Sequence, residues 1–202
     1  NQVVATGVDG AAAVDAMDLD GDGDVDLLAA SSEDDTIAWF ENVGGQSFTR
    51  RAISTTADGA RAILAIDLDR DGDLDVVSAS EFNNEVVWYE NDGPGRGPWK
   101  KHVVKERFND AFEATGADLD GDGDVDIVAT TWRNPGRVAW FENTGDPRGR
   151  WKHHPLKENW TGANQVIVAD MNGDGKPDII ACAERTSLEV RWWKNEGRAE
   201  SP

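Results

Sequence analysis

The sequence predicts an all-β chain whose four-stranded antiparallel sheets stand side by side as the blades of a β-propeller. Three observations carry this. A nine-residue acidic segment, Asp18-Leu19-Asp20-Gly21-Asp22-Gly23-Asp24-Val25-Asp26, returns at residues 67–75, 118–126 and 170–178, so that the first positions lie 49, 51 and 52 residues apart. Each copy is followed by short apolar runs broken by turn residues, and four strands in about fifty residues are what a propeller blade requires. No stretch places apolar residues at i, i+3, i+4 and i+7 over the ten or more positions that a repeat helix needs.

In the first unit, strands are predicted at 11–17, 25–30, 36–41 and 48–53, with the acidic loop between the first two. The first strand of each unit is rich in alanine (Ala11, Ala12, Ala13; Ala60, Ala62, Ala65; Ala111, Ala114; Ala163, Ala169), and small side chains belong where strands crowd about a common axis. The second is a continuous apolar run, as in Asp126-Ile127-Val128-Ala129, which reads as a strand buried on both faces. The third carries Trp39, Trp88, Trp140 or the pair Trp192 and Trp193, recurring in register and expected in the core. The fourth follows Phe48, Trp99 or Trp151, expected as anchors between blades.

One domain over residues 1–202 is expected, with units at about 7–53, 54–104, 105–156 and 157–202. The last unit stops before its fourth strand. Counting back from Asp18, Asn1 falls opposite Arg50, Lys101 and His153, and Val4 opposite Ile53, Val104 and Leu156, so residues 1–6 are expected to supply the missing strand. A four-bladed ring closed in this way leaves no open edge. The same register also permits two chains to share strands in an eight-bladed ring, or a segment of a longer array.

Carboxylates at alternate positions of a tight loop repel each other unless a cation sits among them, so each copy predicts a bound metal ion, about four in all. Positions 1, 3, 5 and 9 are always Asp or Asn: Asp18, Asp20, Asp22, Asp26; Asp67, Asp69, Asp71, Asp75; Asp118, Asp120, Asp122, Asp126; Asp170, Asn172, Asp174, Asp178. Position 7 is Asp24, Asp73, Asp124 and then Lys176, whose ammonium cannot ligate a cation. Position 7 is therefore assigned a backbone-carbonyl ligand. Position 6 is always glycine, which allows the positive φ needed to wrap an ion. This is the first half of an EF-hand ligand scheme, but the closing carboxylate stands at position 9 instead of 12 and no amphipathic helix flanks the loop. Ca²⁺ is the expected ion, because four or five protein oxygens plus water suit its flexible shell better than the strict octahedron of Mg²⁺. Four solvated acidic turns without an ion are the alternative.

Composition narrows the partners. The formal net charge is −19, with five Asp in each of the first three loops and three in the fourth. Four divalent cations would still leave a strongly negative chain, and no Lys/Arg cluster forms a phosphate-tracking stripe, which argues against nucleic acid. No apolar run approaches the length of a membrane span. Cys182 is the single cysteine and is expected as a small buried hydrophobe. The chain begins at Asn1 without Met or a signal-like segment, as expected of a mature product or an excised domain.

The acidic loops, followed by apolar strands and by Trp39-Phe40-Glu41-Asn42, Trp88-Tyr89-Glu90-Asn91 or Trp140-Phe141-Glu142-Asn143, resemble the FG-GAP/VCBS repeat family. That family includes the integrin α-subunit propeller and many secreted proteins. The resemblance covers almost the whole chain in four copies. It implies that each loop joins the first and second strands of a blade, that its Ca²⁺ is structural, and that the protein is secreted or at the cell surface. Complete family rings usually have seven blades, so four repeats depart from the pattern.

Family members include lectins, adhesion modules and the propeller parts of polysaccharide lyases and sugar dehydratases. The resemblance thus implies a binding module for glycans or proteins, with an enzyme fragment or a purely structural, self-associating repeat as alternatives. With the acidic loops and the third-to-fourth turns on one face, the remaining loops lie on the other and vary among repeats. They carry Phe82, Arg107, Phe108, Trp132, Arg133, Trp160 and Arg185. Aromatic faces beside guanidinium groups suit a sugar ring, which offers C–H surface to stack and hydroxyls at its edge. Capping of blade junctions is the competing role for each aromatic. His102, His153 and His154 fall on fourth strands, where packing against the facing strand is expected. No nucleophile elbow, Walker loop or His-Glu-x-x-His pattern is present, so no catalytic residue is assigned and binding is favoured over enzymatic activity.

Overall fold

A computed structural model describes the chain except residues 46, 94–96, 134, 186 and 198–202. The end of the fourth unit therefore lies outside the described residues. The strands are β1 (Ala11–Met17), β2 (Asp26–Ser31), β3 (Thr36–Asn42), β4 (Phe48–Ser54), β5 (Ala60–Ile66), β6 (Asp75–Ser80), β7 (Glu85–Glu90), β8 (Lys100–Glu106), β9 (Ala111–Ala117), β10 (Asp126–Thr131), β11 (Arg137–Glu142), β12 (Lys152–Lys157), β13 (Ala163–Ala169), β14 (Asp178–Ala183) and β15 (Glu189–Trp193). They form three four-stranded sheets, β1–β4, β5–β8 and β9–β12, and one three-stranded sheet, β13–β15, each a meander of antiparallel neighbours. The first unit's strands match the sequence reading to within a residue.

The acidic loop is the tip of the first hairpin in every sheet, and its last Asp is already a strand residue. Asp26 pairs with Met17, Asp75 with Ile66, Asp126 with Ala117 and Asp178 with Ala169. The inner strands β1, β5, β9 and β13 pack side by side in that order, where their alanines allow close approach. β6 and β10 are buried along their whole length, as unalternated apolar runs require.

Three apolar clusters fill the spaces between sheets. Leu28, Ile37 and Trp39 meet Ile63, Val76 and Tyr89 between the first and second, with Trp99 against them. Val77, Val86 and Trp88 meet Ala114, Ile127 and Phe141 between the second and third, with Trp151 among them. Val128 and Val138 meet Val166, Ile179 and Ala181 between the third and fourth. Each fully buried Leu, Ile or Val contributes about 1.5–3 kcal/mol.

Two expectations change. Residues 1–6 form no strand, and among the described residues the fourth sheet has three strands and no closed ring of four sheets is present. Instead Val4, Ala5 and Val8 lie against Leu27, Ala29, Ala38 and Phe40 of the first sheet. The N-terminal segment buries its apolar side at one end of the row of sheets, whereas the open edge β15 stands at the other. Trp192 is the second correction: it is 48% exposed, although Trp39 and Trp88 at the same register are fully buried. No described sheet lies beyond the fourth to cover it. Cys182 is half-buried on the same outer face, its thiol 3.1 Å from Asn164 Oδ1.

Candidate functional site

Each acidic loop is wound by its own side chains. Asp18 accepts the N–H of Asp22 at 3.1 Å and of Gly23 at 2.9 Å, and Asp22 accepts that of Asp24 at 2.9 Å. Position 1 accepts the position 6 N–H again at Gly72, Gly123 and Gly175 (3.2, 2.9 and 2.8 Å). The turn needs positive φ there, between 84° and 97° across the four copies, which glycine adopts without strain. The result gathers oxygens. Position 1, 3 and 5 carboxylates stand within 4.8 Å of one another in Asp18/Asp20/Asp22, Asp67/Asp69/Asp71 and Asp118/Asp120/Asp122, and each triad could hold a metal ion. Asp67 Oδ1 is buried without a hydrogen-bond partner, an acceptor that a cation would satisfy. In the fourth loop the Nδ2 of Asn172 donates to Asp174 Oδ2 at 2.9 Å, so an amide relieves part of the repulsion.

Position 9 does more than close the loop. Asp75 Oδ2 accepts the N–H of Leu68 at 3.0 Å, and Oδ1 accepts that of Asn91, at the end of the third strand, at 2.9 Å. Asp26, Asp126 and Asp178 repeat both bonds with Leu19 and Asn42, Leu119 and Asn143, and Met171 and Asn195. One buried carboxylate thus ties the loop to the following hairpin, with lone pairs left over. Burial pushes the Asp75 and Asp126 carboxyls up to about 7 despite these bonds, a measure of how poorly the site carries charge without a countercharge. Asp178 moves the other way: the N–H of Asn195 leads in holding it below the usual carboxylate range, in a sheet with no described neighbour beyond it.

Two of the position 7 side chains have partners outside their own loops. Lys176 Nζ donates to the Glu196 carbonyl at 2.9 Å, and Arg70 of the second loop pairs with Asp124 of the third. Arg148 reaches across to Asp69 and Glu90 in the second sheet. Burial works to raise Glu90, but hydrogen bonds from Arg148 and His102 prevail and hold it at about 2. His102 and His154 stack on Trp88 and Trp140 at 4.6 and 4.2 Å, and His153 on Phe141 at 5.3 Å, in the packing role expected of them.

On the opposite face the loops are knitted together by backbone bonds, such as Trp132 N–H to Asp110 O and Gly162 N–H to Trp132 O. The structure brings four of the sequence-predicted ligand residues into one row across three sheets. Arg133 lies over Phe82 at 5.9 Å, Phe112 stacks on Trp132 at 5.5 Å, and Arg185 lies over Trp132 at 4.0 Å. Trp132 Nε1 donates to Glu184 at 2.9 Å. The fully buried Glu81 fixes the middle of the row by pairing with Arg61 and Arg133, each at 2.6 Å. Arg107 stands exposed in the turn between β8 and β9, outside these contacts. Phe108 and Trp160 are corrections: both are 1% exposed and belong to the clusters between sheets, so neither offers a face to a ligand.

The sequence did not single out Arg61, Phe112 or Glu81. Arg61 and Phe112 occupy the second position of their inner strands, where the other copies have Ala12 and Asn164. That variation within a fixed register was the available signal.

Stacked four-stranded meanders with an acidic loop at each first hairpin define a propeller-blade repeat protein. The sequence profile of the FG-GAP-like repeat matches residues 18–78, 67–129 and 118–181, and the chain belongs to that family. No curated protein sequence matches it. One similar solved structure is an Agrocybe aegerita lectin described as specifically recognising non-reducing terminal N-acetylglucosamine. The TM-score is 0.59 at 21% identity, over 93% of this chain and 50% of the lectin chain. Another is the exotype rhamnogalacturonan lyase YesX, with a TM-score of 0.50 at 17% identity, over 86% of this chain and 39% of that one. The chain thus spans half or less of each of these two structures, and at these identities the likeness is one of fold.

Proposed function

We propose that this chain is a Ca²⁺-stabilised propeller module, secreted or at the cell surface, that binds glycans through the face opposite its acidic loops. The observation that carries the reading is the row Phe82, Arg133, Trp132, Arg185, held by the buried Glu81 and crossing three sheets. Phe82 is half-exposed and offers C–H stacking, while the exposed Arg133 and Arg185 offer planar sets of N–H donors for hydroxyl or carboxylate oxygens. Arg107 is within the same set of loops as an outer contact. The lectin and the lyase, both sugar-directed by their descriptions, support glycan as the ligand class.

In each acidic loop Ca²⁺ would be held by the side chains of positions 1, 3, 5 and 9 and the carbonyl of position 7. It would supply the positive charge that the hairpin tip lacks and leave the sugar chemistry to the other face. The amide of Asn172 and the cation of Lys176 make the fourth loop the weakest of the four, because ligand charge sets affinity.

Glycan-array screening of the Ca²⁺-loaded chain, followed by Trp fluorescence titration, tests the reading. Phe82→Ala and Arg133→Ala should each weaken binding about tenfold, one lost contact of about 1.4 kcal/mol, with the melting temperature unchanged in Phe82→Ala and lowered in Arg133→Ala, which takes one partner from the buried Glu81. Trp132→Ala should weaken it further by letting the row collapse. Binding that survives all three changes, or an array with no glycan bound, sinks the proposal.

A further inference from the structure

The outer faces at the two ends of the row are apolar and complementary. On the fourth sheet, Val190 is 76% and Trp192 48% exposed, beside Ile180 and Cys182. On the first, Val14 is 75% exposed and Leu27 half-buried, next to Ala29 and Phe40, which Val4, Ala5 and Val8 already cover. Ladder registers show what these positions do elsewhere. Ile180, Val190 and Trp192 occupy the places that Val128, Val138 and Trp140 hold in the third sheet. Val14, Leu27 and Ala29 occupy those of Val166, Ile179 and Ala181 in the fourth. Those two sets pack against each other between the third and fourth sheets. The chain therefore carries both halves of an interface that it already forms three times.

The edge tells the same story. Among the described residues, β15 lacks the outer neighbour that β4, β8 and β12 give to the other sheets. Residues 1–8 hold the register of that neighbour, and they already sit on the first sheet. Val4 and Val8 pack on it as Ile53 and Ala57, 49 residues later, pack at the junction of the first and second sheets. They lie at the opposite end of the row from their own β15.

We propose that the occupant of each end is a second copy of this chain, docked head to tail, so that two chains close one ring of eight blades. In each junction the three-stranded sheet of one copy receives residues 1–6 of the other as its fourth strand. Val190 then faces Ala5 and Arg191 faces Val3, by the register β3 keeps with β4. Its outer face, with Ile180, Val190 and Trp192, closes over Val14, Leu27 and Ala29 of the other copy. Heterologous contacts form a ring only if the rotation closes, and light scattering distinguishes a closed pair from an open array. Strand addition supplies backbone hydrogen bonds and the apolar faces supply the burial. The inference stands apart from the glycan reading, because it uses the two end faces and not the ligand row.

Light scattering on the full chain with Ca²⁺ tests it. The expected mass is twice the 22.0 kDa of one chain. Trp192→Asp, Val14→Asp and removal of residues 1–6 should each give the single-chain mass while circular dichroism still shows the sheets. In the unmodified protein, Cys182 should react with a maleimide about tenfold more slowly than in the Trp192→Asp variant, because the junction covers it. A single-chain mass at every concentration overturns the proposal. So does an open ladder of masses, a two-chain mass that survives all three changes, or equal Cys182 reactivity.

Discussion

Asp75 is at once a closing residue of an acidic loop and the acceptor for two backbone N–H groups, and its surroundings make both roles costly to lose. It is fully buried, so Asp75→Ala leaves the N–H groups of Leu68 and Asn91 without partners. We expect a loss of about 3 kcal/mol, read from the urea midpoint, and a loss below about 1 kcal/mol would contradict the latch. Lys176→Ala should change stability by less than about 0.5 kcal/mol, because its ammonium meets only a surface carbonyl. Glu90 sets an acid limit. With its carboxyl at about 2 in the fold against an ordinary 4.5, the stability it contributes is present above pH 4.5 and disappears as pH falls toward 2. Its side chain is 2% exposed, so the contribution is a few kcal/mol, and Glu90→Gln should flatten that part of the acid unfolding curve. Residue roles were legible where a register repeats. Positions 57, 108 and 160 are apolar in every copy, which already marks Phe108 and Trp160 as junction residues; reading each loop by its own composition hid that.

At the scale of elements, the acidic hairpin and the strand that leaves it form the repeating unit of stability. Ions bound only to the folded state stabilise it by roughly 4 kcal/mol per site at thousandfold excess over Kd. Each kcal/mol moves the melting temperature of a domain this size by about 2–4 °C. Four filled loops would thus raise it by tens of degrees, and calorimetry with Ca²⁺ and with excess chelator should show that gap; an unchanged melt would remove Ca²⁺ from the account. Strand positions were legible because the loop fixes the register and the glycines and acidic turns mark the ends. The anchors Trp99 and Trp151 were legible too, since an aromatic at one register beside a long loop has a junction to fill. In the third sheet that loop also binds the neighbouring second sheet: Trp88 Nε1 and Trp151 Nε1 both donate to Pro147 O, at 3.2 and 3.0 Å.

For the whole molecule, charge and closure are separate problems. A net charge of −19 concentrated at hairpin tips on one face leaves the opposite face free for a row that alternates aromatic and guanidinium groups. Sequence by itself determined the all-β class, the repeated acidic loop and the strand bounds of the first unit, because each follows from spacing along the chain and from the chemistry of neighbouring residues; of the four loops it marked as metal sites, three gather a carboxylate triad. Tertiary structure alone decided which apolar side chains are covered. Trp39 and Trp192 share one register, yet only the first has a sheet laid over it, and burial is a property of the neighbour as much as of the residue. Where residues 1–6 lie was settled in the same way, since pairing with β15 and packing on the first sheet satisfy one local pattern and only the path of the folded chain distinguishes them.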